Sequence, residues 1–495
     1  MDNIIIVGGG TSGLVSALIL KCRFPKLNIE VIRSDKLGII GVGEGSTEHW
    51  GEFCEFVGIT IKDLLLYTGA TFKYGIMLED WNKEPYFHGV HADIMNIKYG
   101  QYMAGYAYAI TNDLKPKQYT NTHCFNNKIS PDLLSTQYHF NTFKLNEFLL
   151  KKCVEKNINI INDEIVKINI EKETIQSIES KKKRYKADFF IDSTGFKKLL
   201  ISKLGAKWTS YQKYLPMNEA IAFPTPDPDE YTPYTLSKAM SSGWLWRIPT
   251  QGRCGNGYVF NNKYIDAEQA KKECEKYLGH KIEIGKNIKF EAGALDRAWI
   301  GNCVAVGLSS SFIEPLEASS IGTSIQQAFL LMHFIINYQE TDIELYNTRF
   351  KDIVENTRDF VLLHYLTGKK DSKFWKEFKP NLPESLSKNL KKWKHRLPIQ
   401  EDFSSVYNLF GPQSFAILLK ELNLVDKKSI KKEYDMLSDP IKFEVNRLIS
   451  SLIDHYNSGR DVKGHKELLK ELSSSPLEQP AYFYRNDQLF PGERT

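Results

Sequence analysis

The chain has 495 residues, with 65 basic and 60 acidic side chains and a formal net charge of +5. A charge this close to balance argues against nucleic acid or an anionic membrane surface as a partner. Hydrophobic residues make up 42% and charged residues 25% of the chain, which is typical of a globular protein. The length is sufficient for about two or three folded regions.

The cysteines and the apolar stretches indicate the cellular environment. Seven cysteines are dispersed along the chain and no two form a CxxC pair, which argues against a disulfide framework or a zinc site. The N-terminus lacks the cationic region of a secretory signal. The longest later apolar stretch, 328–336, is about half of the roughly 20 residues needed to cross a bilayer. We therefore expect a cytoplasmic protein, and the sequence leaves a homo-oligomer open.

The first residues predict a βαβ unit, with a strand at Asn3–Val7, a helix at about 12–23 and a strand at 28–32. Between the first strand and the helix, Gly8, Gly10 and Gly13 match the pattern G-x-G-x-x-G. The first glycine permits a tight turn, the second lets the backbone approach a pyrophosphate, and the third lets helix and strand pack closely. We therefore predict a nucleotide site here.

The residues that begin and follow this unit complete the predicted nucleotide site. Thr11 and Ser12 open the helix, whose free N–H groups and dipole attract an anion. The second strand usually ends in an acidic residue that binds a ribose hydroxyl, but here Arg33 stands in that place. Glu30 is near, although strand alternation directs it to the opposite face. We assign Arg33 to the site and expect a loosely held nucleotide.

The remainder of the chain predicts further strands and then helices. The predicted elements are strands within 160–195, a β-rich region at about 205–295, a strand at 303–306, a helix at about 320–338 and mainly helices beyond 340. We predict an α/β fold with a Rossmann-like domain at 1–340 that carries the β-rich region as an insertion. A helical region with a C-terminal tail follows at 341–495. The basic run at 181–184 is predicted to be a solvated hairpin turn.

Four short segments carry more specific patterns. They are GVGEGST at 41–47, FKYGI at 72–76 followed by DW at 80–81, GWLWRIP at 243–249, and FIEPLEASSIG at 312–322. Together they resemble the signature segments of the tryptophan-halogenase family of FAD-dependent halogenases. The resemblance spans about 3–395. It departs from the family pattern at Gly45, where alanine is usual, and at Ser319, where threonine is usual.

The resemblance implies a fold of the glutathione-reductase and flavin-monooxygenase type that binds FAD. FADH2, oxygen and a halide would give hypohalous acid, which would halogenate an electron-rich aromatic or heteroaromatic small molecule. A separate NAD(P)H-dependent reductase would supply the reduced flavin. Beyond the glycine motif, the implied FAD contacts are Gly41, Val42, Gly43, Glu44, Gly307, Pro315 and Ile321.

The resemblance also implies that Lys73 and Glu317 are catalytic. A lysine in a desolvated passage could hydrogen-bond hypohalous acid or form a haloamine, and burial would lower its pKa to supply the neutral amine. Which of these species acts stays open. Glu317 would orient the oxidant or accept the proton that leaves the arene.

Two residue pairs have implied supporting roles. Ser319 and Ser320 would bind the halide through backbone N–H groups that open a helix. Trp244 and Trp246 are two apart in a predicted strand and therefore share one face. The resemblance implies that they form a wall that separates the substrate from the flavin. The preferred halide, chloride, bromide or iodide, is not indicated.

Two alternatives compete with a halogenase. A flavin monooxygenase or reductase of similar fold would act directly on its substrate, which the wall of Trp244 and Trp246 opposes. A family member that only binds ligands would have no need of both Lys73 and Glu317. His88 and His91 are spaced i, i+3 but lack the carboxylate or cysteine partners of a metal site, so no metal is predicted.

The C-terminal part bears on the substrate. The last tryptophan is Trp393, whereas tryptophan halogenases enclose indole between aromatic rings that include tryptophans from this part. Free tryptophan is therefore a doubtful substrate. Other aromatic residues, among them Tyr407, Phe410 and Phe415, are available to face a different arene. His364 lies in an apolar helical run and is predicted to be structural.

Overall fold

The computed structural model describes residues 1–39, 44–89, 103–115, 118, 125–131, 134–458 and 462–475. The strands are β1 (Asn3–Val7), β2 (Asn28–Arg33), β3 (Glu44–Gly45), β4 (Thr71–Lys73), β5 (Gly75–Glu79), β6 (Tyr86–Gly89), β7 (Lys128–Ile129), β8 (Gln137–Phe140), β9 (Asn159–Asn162), β10 (Ile165–Glu171), β11 (Thr174–Ser180), β12 (Arg184–Tyr185), β13 (Phe189–Asp192), β14 (Trp208–Ser210), β15 (Glu219–Thr225), β16 (Thr235–Met240), β17 (Gly243–Thr250), β18 (Arg253–Phe260), β19 (Lys286–Lys289), β20 (Gly293–Leu295), β21 (Trp299–Ile300), β22 (Cys303–Ala305), β23 (Ser311–Phe312) and β24 (Lys463–Gly464). The helices are α1 (Thr11–Arg23), α2 (His49–Val57), α3 (Ile61–Tyr67), α4 (Met103–Thr111), α5 (Thr142–Glu155), α6 (Ala267–Leu278), α7 (Ser319–Phe334), α8 (Glu340–His364), α9 (Lys373–Glu377), α10 (Glu384–Trp393), α11 (Pro412–Glu421), α12 (Lys427–Asp435), α13 (Asp439–Ser458) and α14 (His465–Ser474). Within these described ranges, no helix combines the length and the apolar character needed to cross a membrane.

A six-stranded sheet forms the base of the nucleotide-binding part, in the order β21-β22-β13-β1-β2-β9. Strand β1 pairs in parallel with β2 on one side and with β13 on the other. Its residues Ile4, Ile5 and Ile6 are at most 2% exposed, as expected of a parallel strand that is covered on both faces. This sheet and the order β1–α1–β2 confirm the predicted α/β fold.

A seven-stranded sheet contains most strands of the predicted β-rich region, in the order β19-β15-β18-β17-β16-β5-β6. Strands β5 and β6 come from an earlier part of the chain, and β5 pairs in parallel with β16. A Cβ atom at Gly75, the first residue of β5, would lie 2.3 Å from the carbonyl oxygen of His88. The close approach of β5 and β6 therefore requires glycine at this position.

A three-stranded sheet joins two of the signature segments. Strand β8 lies between β3 and β4. Gly45 is opposite His139, and Lys73 is opposite Gln137. Gly45, near the end of the glycine-rich segment 41–47, and Lys73 are thereby fixed on opposite sides of β8.

The region after residue 340 is mainly helical, as predicted. The long helix α8 connects the parallel sheet with this region. Near its start, the ring of Tyr346 packs edge-on against Trp299 with centroids 5.3 Å apart. Near its end, Phe360 stacks on Phe410 with centroids 4.0 Å apart. The last residue of α8 is His364.

The structure contains both the predicted helix at about 320–338 and the predicted turn at 181–184. The helix predicted at about 320–338 is α7, which ends earlier, at Phe334. Gln339, one residue beyond the predicted span of 320–338, is extended and forms a capping box with Asp342 that starts α8, so the chain turns between the two helices. The hairpin turn predicted at 181–184 is confirmed, since β11 and β12 pair in antiparallel orientation.

Candidate active site

A cavity of about 300 Å³ opens at the carboxyl ends of β1, β2 and β13. Ligands of open α/β sheets bind at the carboxyl ends of the strands, so the cavity has the position of a nucleotide site. Its wall includes Gly8, Gly10, Thr11, Ser12, Arg33, Gly307, Ser320 and Ile321. Gly13 and Pro315 are not part of the wall that the described residues form.

The three glycines of the G-x-G-x-x-G motif have different structural roles. Gly8 has a φ of +118°, and a Cβ there would lie 2.0 Å from the Ser193 carbonyl oxygen. A Cβ at Gly13 would lie 2.3 Å from the carbonyl oxygen of Gly8. A Cβ at Gly10 would meet nothing within 4 Å, and Gly10 caps α1 without a side-chain hydrogen bond. The N-terminus of α1 is therefore open to an anion such as a pyrophosphate.

The acidic groups of the cavity come from a place that the sequence did not indicate. Arg33 lies in the wall, and its guanidinium pairs with Asp35 at 2.8 Å. Glu30 accepts a hydrogen bond from the neighbouring strand β9 instead of facing the cavity. Asp163 and Glu164, which follow β9, line the wall. These carboxylates are therefore the ones available to a ribose hydroxyl, and no local motif marks them.

Lys73 is a buried residue at the end of β4, with 2% of its surface exposed. Its Nζ donates a hydrogen bond of 2.7 Å to the carbonyl oxygen of Ser46. Burial lowers the pKa of Lys73 to about 8, against the opposing effect of Glu317 and Glu48. Close to neutral pH the side chain can therefore exist both as an ammonium and as an amine.

Gly45 separates Lys73 from the segment that carries Glu317. A Cβ at Gly45 would lie 3.6 Å from Lys73 Nζ and 3.4 Å from Ala318 Cβ. These are ordinary van der Waals distances, so the alanine that the family pattern has here would also fit. The lysine and the Glu317 segment thus face each other across the end of the glycine-rich segment.

Glu317 ends a short 3-10 turn, Pro315–Glu317, directly before α7. It is 2% exposed. Its Oε2 accepts a 2.8 Å hydrogen bond from His88 Nδ1, and its Oε1 lies 2.8 Å from His364 Nε2. Burial opposes ionisation of Glu317, but the two imidazoles outweigh it and lower its pKa to about 2. Glu317 is therefore a carboxylate at neutral pH.

The two histidines beside Glu317 are functional candidates that the sequence interpretation missed. His88 was considered only as a metal ligand, and His364 only as a structural residue. His364 is fully buried and also lies 3.1 Å from the hydroxyl of Tyr86. A buried polar group requires partners, so a histidine in an apolar helix indicates a polar contact, but the sequence does not identify it.

Trp244 and Trp246 lie side by side on β17, with ring centroids 6.1 Å apart. Both are buried. Trp246 covers Gly257, where a Cβ would lie 2.0 Å from Trp246 Cη2. Trp244 neighbours Glu314, whose pKa burial raises to about 8 against the effect of Tyr365 and Trp244. The tryptophan pair is therefore adjacent to the segment that carries Glu317.

The first turn of α7 links this segment to the nucleotide cavity. Ser319 is buried and Ser320 is exposed in the cavity wall. Both stand in the first turn, where N–H groups have no acceptor within the helix. Gly41, Val42 and Gly43 lie outside the described residues, as do His91 and the C-terminal residues beyond 475. Glu44 is described only by its backbone, in β3.

Comparisons with known proteins identify the family. The tryptophan 6-halogenase SttH of Streptomyces toxytricini is 28% identical over 514 residues, which cover 91% of this chain and 97% of that protein. Its solved structure has a TM-score of 0.78 at 25% identity and covers 92% of this chain and 99% of its own. A solved tryptophan halogenase of Shewanella frigidimarina, at 24% identity, shares the fold with a TM-score of 0.86, over 96% of this chain and 98% of that one. The model of the tryptophan halogenase family matches residues 3–436. The chain belongs to this family.

The protein is thus an FAD-dependent halogenase, an oxidoreductase that uses reduced flavin, oxygen and a halide. This confirms the predicted enzyme class and cofactor. The residues of the cavity fit FAD, because Gly10 leaves room at the open N-terminus of α1. The cavity also extends from this turn to Ser320 at the start of α7, so the N-termini of both helices face it.

Replacing Gly10 with aspartate should weaken FAD binding by about 10-fold or more while leaving the halogenase folded. The carboxylate would occupy the space open to the pyrophosphate and repel its negative charge. Aspartate is a good helix N-cap, so the free energy of unfolding should stay constant or rise by a few tenths of a kcal/mol. Titration of the apoprotein with oxidised FAD, followed by flavin fluorescence, measures the affinity.

Gly411 offers a matched control for this variant. It caps α11 without a side-chain hydrogen bond, and a Cβ there would also meet nothing within 4 Å. Gly411→Asp should affect stability in the same way and leave the FAD affinity unchanged. Wild-type affinity in Gly10→Asp would show that the pyrophosphate lies elsewhere.

Proposed function

We propose that this halogenase directs hypohalous acid through Lys73 to a small electron-rich aromatic or heteroaromatic molecule. When bound and reduced, FAD would convert oxygen and a halide into hypohalous acid. The observation that carries the proposal is that Lys73 and Glu317 are both buried and interact electrostatically, with Glu317 three residues before Ser320 in the wall of the nucleotide cavity. A free oxidant would react indiscriminately, so a group that holds and aims it is required.

Each side chain of the pair has a distinct electrostatic role. The Nζ of Lys73 can donate a hydrogen bond to the oxidant or, as a neutral amine, react with it, since its pKa is lowered to about 8. Glu317 supplies a negative charge that favours the ammonium form of Lys73. In the first turn of α7, the N–H groups of Ser319 and Ser320 would hold the halide.

The form of Lys73 that acts can be read from the pH dependence of the rate. We expect the rate of product formation to change with a midpoint near pH 8, the pKa of Lys73. A rate that falls above this pH assigns the ammonium as the active form, and a rate that rises assigns the amine. Measurements with reduced FAD held constant isolate this step from the supply of flavin.

Trp244 and Trp246 support halogenation over direct oxygenation. Both rings are buried in β17 beside the Glu314–Glu317 segment, where they would keep a substrate away from the flavin. Hypohalous acid would then be the only species able to pass from the flavin to the substrate. Residue Trp393, the last tryptophan, is fully buried and its Nε1 donates a hydrogen bond to Asp402. It therefore contributes to packing and is not available to enclose an indole.

The aromatic side chains that pack against His88 define the proposed substrate region. His88 packs against Phe360 with ring centroids 5.0 Å apart, and Phe410 lies next to both. His88 keeps 11% of its side chain exposed, whereas Phe360 and Phe410 are buried and pack against it, so a flat arene would meet this cluster at His88. The relatives are named as tryptophan halogenases, and we propose a related arene, with indoles, phenols and pyrroles as the classes to test.

The decisive experiment supplies the enzyme with photoreduced FAD, oxygen and chloride, bromide or iodide in turn. A panel of tryptophan, indole, phenol and pyrrole derivatives is added, and products are identified by mass spectrometry. We expect the isotope pattern of a single halogen on at least one arene. Oxygenated products without halogen, or unchanged arenes while FADH2 is consumed, would contradict the proposal.

We further propose that a separate NAD(P)H-dependent reductase supplies the reduced flavin and that the enzyme works in the cytoplasm. The six cysteines that the structure describes are all free, which fits a reducing compartment. A reductase from the same source should support halogenation with NAD(P)H when the two proteins are mixed.

A further inference from the structure

Glu317 is held between two histidines that come from distant parts of the chain. His88 lies on β6, and His364 is the last residue of α8. Each places a ring nitrogen 2.8 Å from a different oxygen of the carboxylate. The fourth residue of the group is Tyr86, whose hydroxyl lies 3.1 Å from His364 Nδ1. The charge of the same carboxylate raises the pKa of Lys73.

The contacts fix which nitrogen of each ring carries hydrogen. A carboxylate only accepts hydrogen bonds, so the His88 Nδ1 that contacts Glu317 must carry a hydrogen. His364 Nε2 lies 2.8 Å from Glu317 Oε1, so it also carries a hydrogen, although neither atom makes a well-formed hydrogen bond. Burial lowers the pKa of His364 and keeps the ring neutral, so its Nδ1 accepts the hydrogen bond from the Tyr86 hydroxyl. Tyr86 stays protonated because burial and the charge of Glu317 raise its pKa well above the usual value.

The two imidazoles differ in what their other nitrogen can do. His364 is fully buried, burial lowers its pKa, and its Nδ1 is occupied by Tyr86. The His88 side chain is 11% exposed, and the described residues provide no hydrogen-bond partner for its Nε2. In the neutral ring this nitrogen has a free lone pair. It therefore is the accessible base of the group.

We propose that His88 Nε2 removes the proton from the arene, with Glu317 as the carboxylate that orients and stabilises the imidazole. This assigns to His88 a catalytic role in the proposed halogenation, on which the inference rests. The arrangement follows the logic of a carboxylate–histidine pair, in which the acid fixes the tautomer and stabilises the imidazolium. Tyr86 and His364 are positioning residues that hold the second oxygen of Glu317.

The reaction balances with this assignment. The O–X bond of hypohalous acid breaks, the halogen bonds to an arene carbon, and the oxygen leaves as water with a proton from the Lys73 ammonium. The electron pair of the C–H bond returns to the ring, and its proton passes to His88 Nε2. Transfer of that proton through solvent restores the Lys73 ammonium. The sum is ArH + HOX → ArX + H2O.

His88→Asn tests the role of this nitrogen. The amide NH2 of asparagine can replace Nδ1 as the donor to Glu317, but it provides no base in place of Nε2. Product formation should fall by about 10²-fold. An arene that carries deuterium at the halogenated carbon should then react more slowly than its protium form, because proton removal has become rate-limiting. The wild type should show no such isotope effect.

Two further variants separate a base from a structural residue. Added imidazole should restore activity to His88→Gly, in which the ring has been removed, but should not affect His280→Asn, an exposed surface histidine used as a control. A His88→Asn variant with the wild-type rate would overturn the inference. So would a slow variant without an isotope effect, combined with a His88→Gly variant that imidazole does not rescue.

A measurement without turnover keeps the inference distinct from the proposed function. In enzyme labelled with nitrogen-15 in histidine, NMR should show His88 with hydrogen on Nδ1 and none on Nε2, as identified by the signal lost in His88→Asn. A hydrogen on Nε2 would overturn the inference even if halogenation proceeds. Failure of the wild type to halogenate any arene would overturn the proposed function instead.

Discussion

Lys73→Met should abolish halogenation, with a loss of about 10³-fold or more in product formation, while FADH2 continues to react with oxygen. The substitution removes the only group at this position that can hold the oxidant, and the apolar chain of methionine fills a similar volume. Loss of one partner of a buried ion pair is destabilising when it leaves the other charge without a partner; Glu317 keeps His88 and His364 at 2.8 Å, so the variant should remain folded. Product analysis and oxygen uptake, measured on the same sample, separate the two activities.

Two companion variants sharpen this test. Lys73→Arg keeps a positive charge but cannot supply a neutral amine, so activity in this variant would show that hydrogen bonding suffices. Lys151 is 57% exposed and pairs with Glu155, and Lys151→Met should leave both activities unchanged. If Lys73→Met halogenates at the wild-type rate with the same site preference, Lys73 does not direct the oxidant.

The parts of the fold that follow from local patterns were predictable. β1 was predicted at its observed bounds, and α1 begins one residue before the predicted start at about residue 12. A run of isoleucines followed by a glycine turn specifies these elements through nearest neighbours alone. Asn141 is a local signal of the same kind, since it directly precedes α5 and accepts hydrogen bonds from the N–H groups of Phe143 and Lys144.

Contacts between distant segments were not predictable in the same way. The pairing of β5 with β16 joins residues that are far apart in the chain, and the sequence of neither strand specifies which strand it pairs with. The same holds for the site, where the sequence indicated Lys73 and Glu317 through short motifs. His88 and His364 reach Glu317 only because β6, α8 and the turn before α7 meet in the fold. Their role depends on tertiary packing, which local patterns do not encode.

The electrostatics of the site connect these residues into one unit. Lys73 keeps a pKa near 8 because burial and the negative charges of Glu317 and Glu48 act in opposite directions. Glu317 in turn keeps its charge through His88 and His364. Since each group depends on its neighbours, removing one charge should alter both the rate and its pH dependence, and the effects should not be additive.

Glu317→Gln should lower the rate of halogenation by about 10³-fold and shift its pH dependence to lower pH. The loss of rate is expected because a neutral amide cannot stabilise an imidazolium at His88. The shift to lower pH is expected because the negative charge of Glu317 raises the pKa of Lys73. Neutralising Glu317 therefore lets the pKa of Lys73 fall below about 8. The pH–rate profiles of wild type and variant, recorded with bound FADH2 in both, give the two midpoints.

Glu48→Gln is the matched control for the electrostatic part of this prediction. Glu48 also raises the pKa of Lys73, but it is exposed and has a smaller effect than Glu317. Its neutralisation should therefore move the midpoint in the same direction by a smaller amount, because solvent screens an exposed charge, without the loss of maximal rate. A midpoint that does not move in Glu317→Gln would mean that Glu317 and Lys73 do not interact. Release of FAD from that variant would instead assign Glu317 a structural role, since the carboxylate would then hold the turn before α7 in place.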